Sequence, residues 1–247
     1  MAVRIGTSGW SYDHWQGVLY EPGLKAAKRL SVYTAEFDTV ELNASFYHWP
    51  ADATFTRWRE QLPPGFAISV KAARGLTHAR RLRAPEGWIE RMARGYQELG
   101  DRRAALLVQL HPALQRDDER LDYFLAKLPA GMTTAVEFRH PSWNDPAVYT
   151  LLERYGASYV VMSGAGLPCV LKATAQLVYV RLHGPDHDRL YAGSYSEDEL
   201  SWWADRVGEW VEQDRDVLLY FNNDGEGNAV RNARRLRTML SDRLWLR

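Results

Sequence analysis

Seven short segments of this chain sort apolar from polar side chains by parity, and their polar groups gather at one end. In Thr39–Asn43, Val40 and Leu42 fall on one face and Glu41 and Asn43 on the other; in Ala135–Arg139, Glu137 and Arg139 oppose Val136 and Phe138. Ser69 and Lys71 oppose Ile68 and Val70, and Gln109 and His111 oppose Val108 and Leu110. Tyr179, Arg181 and His183 oppose Val178, Val180 and Leu182. Tyr220, Asn222 and Asp224 oppose Leu219 and Phe221, and Gly6 and Ser8 follow more weakly near the N-terminus. Side chains alternate faces with period two along a strand. Each segment therefore reads as a strand with one apolar face and one face whose polar groups lie toward its C-terminal end. A barrel clothed in helices, with a site at its mouth, is built from such strands.

Helical patterns fill the intervals. Leu30, Tyr33 and Phe37 recur at helical spacing, as do Phe55, Trp58 and Leu62, with Asp52 available as an N-cap. Trp88, Met92, Tyr96 and Leu99 mark another helix, closed by Gly100, and further helices are predicted over 117–128, 145–155 and 228–240. Ser196 with Glu199 forms a capping box ahead of the stripe Leu200, Trp203, Val207 and Trp210. Strands alternating regularly with helices imply a parallel sheet. Eight such units in 247 residues imply an α/β fold closed as a (β/α)8 TIM barrel, a fold of about 250 residues. Between the sixth and seventh strands only about 13 residues remain, near the minimum for a crossover, so that helix is expected to be vestigial. No repeat, low-complexity segment or linker interrupts the chain, and a single domain over 1–247 is expected.

The 31 basic and 31 acidic residues cancel, which removes any global attraction to nucleic acid or membrane. A single cysteine, Cys169, rules out an intrachain disulfide. A strand beginning at Val3 leaves no room for a signal peptide, and no apolar run approaches the length of a membrane span. The expected location is the cytoplasm, with no membrane partner.

Five strand ends continue into dense polar and aromatic strings. They are Gly6-Thr7-Ser8-Gly9-Trp10-Ser11-Tyr12, Val40-Glu41-Leu42-Asn43-Ala44-Ser45-Phe46-Tyr47, Val136-Glu137-Phe138-Arg139-His140-Pro141-Ser142-Trp143, Tyr179-Val180-Arg181-Leu182-His183-Gly184 and Tyr220-Phe221-Asn222-Asn223-Asp224. In this order they closely resemble the YecE-like family of uncharacterised bacterial and archaeal proteins, over nearly the whole chain. The resemblance implies a TIM barrel and brings no established activity. One departure is Gln109-Leu110-His111-Pro112, where the family more often shows Gln-Leu-Pro-Pro, so His111 is not carried into a shared mechanism.

In such barrels the groups that do chemistry come from the C-terminal ends of several strands. Glu41 and Glu137 are the candidate acid–base pair, because two carboxylates in different environments divide those roles. Lys71 is a candidate Schiff-base amine or anion ligand. Arg139 and Arg181 are candidates to stabilise negative charge, His183 to assist proton transfer, and Asn43 and Asn222 to orient the substrate. Trp10, Tyr47, His78, Gln109, His140 and Asp224 complete the candidate binding shell. The competing structural reading is an ion-pair plug, with Glu137 matched to Arg181 or Lys71. His78, His111, His140 and His183, with Glu41, Glu137 and Asp224, offer mixed donors for a divalent metal, although no ligand spacing marks one. An anion site is also predicted, either at the Gly-rich Asn222–Asn228 loop or beside the basic loop holding Arg74, Arg80, Arg81 and Arg83.

The leading expectation is an enzyme using acid–base chemistry on a small polar, anionic molecule such as a sugar phosphate or nucleotide-like compound. One alternative is a metal-dependent phosphodiester hydrolase acting on nucleic acid. The other is a non-catalytic ligand-binding protein.

Overall fold

The computed structural model describes residues 2–244. β1 (Val3–Thr7), α1 (Ala26–Glu36), β2 (Thr39–Leu42), a one-turn α2 (Ala44–Tyr47), α3 (Asp52–Gln61) and β3 (Ala67–Lys71) come first. A π-helical turn at Gly75–Ala79 leads into α4 (Glu86–Glu98) and β4 (Arg103–Gln109). Next come α5 (Asp118–Lys127), β5 (Thr134–Glu137), α6 (Pro146–Arg154) and β6 (Ser158–Ser163). β7 (Leu177–Leu182), α7 (Glu197–Glu212), β8 (Asp216–Phe221) and α8 (Asn228–Leu244) complete the order. The strands neighbour one another as β1-β8-β7-β6-β5-β4-β3-β2. β1 and β8, β3 and β4, β4 and β5, β5 and β6, and β7 and β8 pair in parallel. This is the α/β (β/α)8 architecture that the parity pattern predicts.

Three helix starts follow from local chemistry. The Asp117 and Asp145 carboxylates accept from the amides of Arg120 (3.0 Å) and Ala147 (2.9 Å), and Ser196 with Glu199 closes the predicted capping box. Asp52 does not cap α3. The extended residue there is Ala51, so Asp52 falls one position inside the helix, and its carboxylate lies 3.7 Å from Arg94 instead. Between β6 and β7 no helix forms. Thr174 steadies that loop, its hydroxyl donating to the Ala157 carbonyl and accepting from the Tyr159 amide, both at 2.7 Å.

The chain divides into two compact units, whose boundaries cut through β2 and β6. One comprises Met1–Val40, Val161–Leu171 and Gln176–Arg247. In it β8 pairs with both β1 and β7, and Ile5, Val180, Leu219 and Phe221 are buried. The Tyr33 hydroxyl accepts from the Thr7 amide and donates to the Thr39 carbonyl, each at 3.0 Å. Gly6 is needed beside that carbonyl, because a Cβ there would stand 2.3 Å from the Thr39 oxygen. The other unit comprises Glu41–Val160 and Lys172–Ala175 and holds β3, β4, β5 and the start of β6. Its helices α3 and α4 pack together, with the Phe55 ring between Trp49 (5.3 Å) and Trp58 (5.4 Å).

The polar parity positions are not a solvated face. Glu41, Ser69, Glu137 and Arg181 are each fully buried, so these strands are covered on both sides. Among the described residues, no helix is long and apolar enough to cross a membrane.

Candidate functional site

The polar strand ends of the Glu41–Val160 unit form one cluster. Glu137 ends β5 and is fully buried. It accepts from Gln109 Nε2, at the end of β4, at 2.7 Å, and it pairs with the Arg139 guanidinium two residues on. Arg139, 7% exposed at its side chain, is thereby fixed in place. Lys71 ends β3, and its Nζ lies 4.5 Å from the centre of the Phe46 ring, within cation–π reach. The Ser45 hydroxyl lies 2.6 Å from the Lys71 carbonyl oxygen and 3.0 Å from that of Leu42, tying α2 to the ends of β2 and β3. Asn43, the residue before α2, has its Oδ1 buried with no hydrogen-bond partner among the described residues.

Two imidazoles join this group. The His78 ring meets Phe46 edge-on at 4.9 Å, and the His111 ring stands 5.1 Å from His78. Thr77 Oγ1 lies 2.9 Å from His78 Nδ1, and His111 Nδ1 accepts from the Ala113 amide at 3.0 Å. Burial, followed by the positive charge of His111, Lys71, Arg74 and Arg139, pushes the His78 pKa down to about 4. The ring is therefore neutral at physiological pH, in a field set by cations.

That depression has a stability consequence. Between pH 6.5 and about 4 the unfolded chain binds a proton that folded His78 refuses. The contribution is complete above pH 6.5, declines as the pH falls, and is lost below about 4. The ring is half-buried and screened by solvent, so about 1 kcal/mol is expected. Denaturant titrations of the wild type and His78→Gln at neutral and acidic pH should show the wild type losing about that much more stability on acidification. Parallel losses would mean that His78 titrates normally.

The segment carrying His78 is strained. A π-helical turn is rare and tends to mark function. Directly after it, three non-glycine residues take left-handed backbone, Arg81 (φ 49°), Leu82 (φ 64°) and Ala84 (φ 43°). The buried Leu82 side chain and a 3.0 Å bond from its amide to the Leu76 carbonyl hold the loop in this form.

The other unit carries a second polar group. His183, fully buried just past β7, has Nδ1 at 3.1 Å from Asn222 Nδ2; with the amide donating, the ring proton sits on Nε2. Arg181 is fully buried on the same strand. The Tyr191 ring meets His183 at 5.4 Å. Asn223 and Asn232 build the loop around it: the Asn223 amide donates to the Gly193 carbonyl and to Asn232 Oδ1, both at 2.9 Å. Trp10 is half-buried, and its carbonyl accepts from the Tyr20 hydroxyl.

The structure thus brings Lys71, His78, Gln109, Glu137 and Arg139 into one unit with Glu41 and Asn43, and His183 and Asn222 together in the other. Tyr47 is 76% exposed, its ring edge-on to Phe46. His140 is engaged in its own turn, where Nδ1 accepts from the Ser142 amide at 3.2 Å. Asp224 departs from the strand alternation because the chain has already turned helical there. Its carbonyl accepts from His14 and Trp15, its carboxylate lies 3.5 Å from His14, and burial raises its pKa. Among the described residues, no three His, Cys, Asp or Glu side chains are grouped as a metal site, so the seven proposed donors do not form one set. Sequence reading overlooked Ser45 and Thr77, small hydroxyls whose role depends on contacts across turns.

A family pattern described as "Protein of unknown function DUF72" matches residues 4–245. The chain belongs to the DUF72 family. This is the YecE-like family of the strand-end strings under another label. The DUF72 chain is 29% identical to the UPF0759 protein YunF of Bacillus subtilis (strain 168), over 96% of its own length and 94% of that protein. The crystal structure of a DUF72 family protein from Thermotoga maritima is 30% identical and superposes with a TM-score of 0.88, covering 98% of this chain and 100% of that one. One from Enterococcus faecalis shares the fold at 19% identity, with a TM-score of 0.83 over 97% and 95% of the two chains.

Proposed function

We propose that this DUF72 protein is an enzyme that performs acid–base chemistry on a small polar anion, such as a sugar phosphate or nucleotide. The observation supporting this reading is the gathering of Lys71 and His78 on the Phe46 ring, with His111 beside them and Arg139 held nearby by Glu137. Lys71 and the Glu137-aimed Arg139 give this group positive charge beside a neutral imidazole, and a phosphate or carboxylate entering there would be held by charge-assisted hydrogen bonds.

In this reading Lys71 and Arg139 bind the anion, and Glu137 aims Arg139. Glu41 and the neutral His78 imidazole are the groups that move protons, because one is a buried carboxylate and the other is uncharged at working pH. The Asn43 carbonyl accepts a substrate hydroxyl. His183, steered by Asn222, is a proton-transfer candidate of its own unit.

The test is a turnover screen over sugar phosphates and nucleotides with the wild type and Glu41→Gln, with thermal melts run alongside. A substrate should be found, and the substitution should lower kcat by roughly 10²–10⁴ while the protein stays folded. Unchanged kcat would remove Glu41 from the chemistry. Ligand-induced stabilisation without turnover across the panel would favour a non-catalytic binding protein.

A further inference from the structure

A pocket of about 440 Å³ lies beside the N-terminal turns of α7, within the unit that contains β7 and β8. That size suits a small organic molecule. Asp198, Glu199, Trp202 and Trp203 line it from α7, Asp186 from the loop after β7, and Cys169 from the loop after β6. Three of its lining residues are carboxylates and none is Lys or Arg. The Trp202 ring is 40% exposed and meets the Trp203 ring edge-on at 4.9 Å.

We propose that this pocket binds a small organic cation, an amine or quaternary ammonium on an apolar body. Indole rings are the strongest cation–π partners among side chains. The chain already shows Trp202 taking one, with the Arg206 guanidinium 5.2 Å from the ring centre. Acidic residues in a first helical turn are ordinary complements to the helix dipole, and Glu197, outside the pocket, fits that role in its pairing with Arg235. Asp186 is different, because it comes from a separate loop. Its carboxylate is fixed facing that loop's own amides, with Oδ1 accepting from Asp188 (2.9 Å) and Arg189 (2.8 Å). Glu199 is likewise fixed, since one oxygen takes both the amide and the hydroxyl of Ser196 at 2.8 Å. Asp186 Oδ2 also lies 3.5 Å from the exposed Arg189 guanidinium, which compensates it in part. The helix N-terminus contributes about half a positive charge, too little to offset Asp198 and Glu199 together. The inference does not rest on the anion site above, whose charge is of the opposite sign.

Calorimetric titration tests it with phenethylamine, benzyltrimethylammonium and the neutral 3-phenylpropanol. Both cations should bind saturably and at least roughly tenfold tighter than the alcohol, with affinity falling as salt is raised. Asp198→Asn and Trp202→Leu, both at exposed positions, should each weaken the cations several-fold and leave the alcohol unchanged. Equal affinity for cation and alcohol would overturn the proposal in the wild type alone. So would the absence of saturable cation binding at millimolar concentration.

Discussion

Glu137→Gln is expected to lower the unfolding free energy by about 3 kcal/mol and the melting temperature by roughly 6–12 °C. The reason is the Arg139 guanidinium, which stays almost completely buried when its partner loses its charge. Breaking one side of a buried pair leaves an uncompensated ion, which costs more than the pair contributed. Gln109 can still donate to the new side-chain oxygen, so part of the local geometry survives. The double variant Glu137→Gln/Arg139→Gln should recover much of the loss in urea titrations, with a coupling of at least about 1 kcal/mol. Additive losses would show that Arg139 is compensated by other groups. Lost activity in Glu137→Gln would therefore mix chemistry with stability.

Gly184→Ala should be more damaging, costing at least about 3 kcal/mol or preventing folding. Two independent obstacles coincide there. The backbone sits at φ +100°, which side-chain-bearing residues rarely adopt, and the new Cβ would stand 2.2 Å from the Ala192 carbonyl oxygen. Neither neighbour is a flexible side chain that can swing away. The same stretch carries the 2.6 Å bond from the Tyr191 amide to the His183 carbonyl, so relief of the clash must displace His183. Melting curves and the His183 ring resonances would register both effects. A variant as stable as the wild type would mean that the Gly184 and Ala192 backbones separate easily.

The alternation of strands and helices was legible in the sequence because seven segments sort apolar from polar residues by parity, the first of them weakly, and the long helices carry a 3.6-residue stripe. The strand-end shell was legible for a related reason: Glu41, Glu137, Lys71 and Arg181 are charged residues among β-formers, where no solvent-facing or packing role accounts for them. Past the strand ends the alternation still named Asn43, His111, Arg139, His183 and Asn222 but could not show the turns that hold them, and for Asp224 it misplaced the side chain. Elements of four or five residues, such as α2 and the π-helical turn, are too short to show a period. The neutral state of His78 was hidden as well, because it depends first on burial and then on the charges of His111, Lys71, Arg74 and Arg139, brought together only by the fold.

The left-handed residues after the π-helical turn make that segment a latch. The strain of Arg81, Leu82 and Ala84 pushes it open, while the burial of the Leu82 side chain keeps it shut. Its amides should therefore exchange with solvent before those of the β3 and α4 that flank it. Its catch, Leu82, lies four residues from His78. A substitution there would loosen the imidazole from Phe46 and return its titration toward that of an ordinary histidine, with no contact to the cationic cluster altered directly.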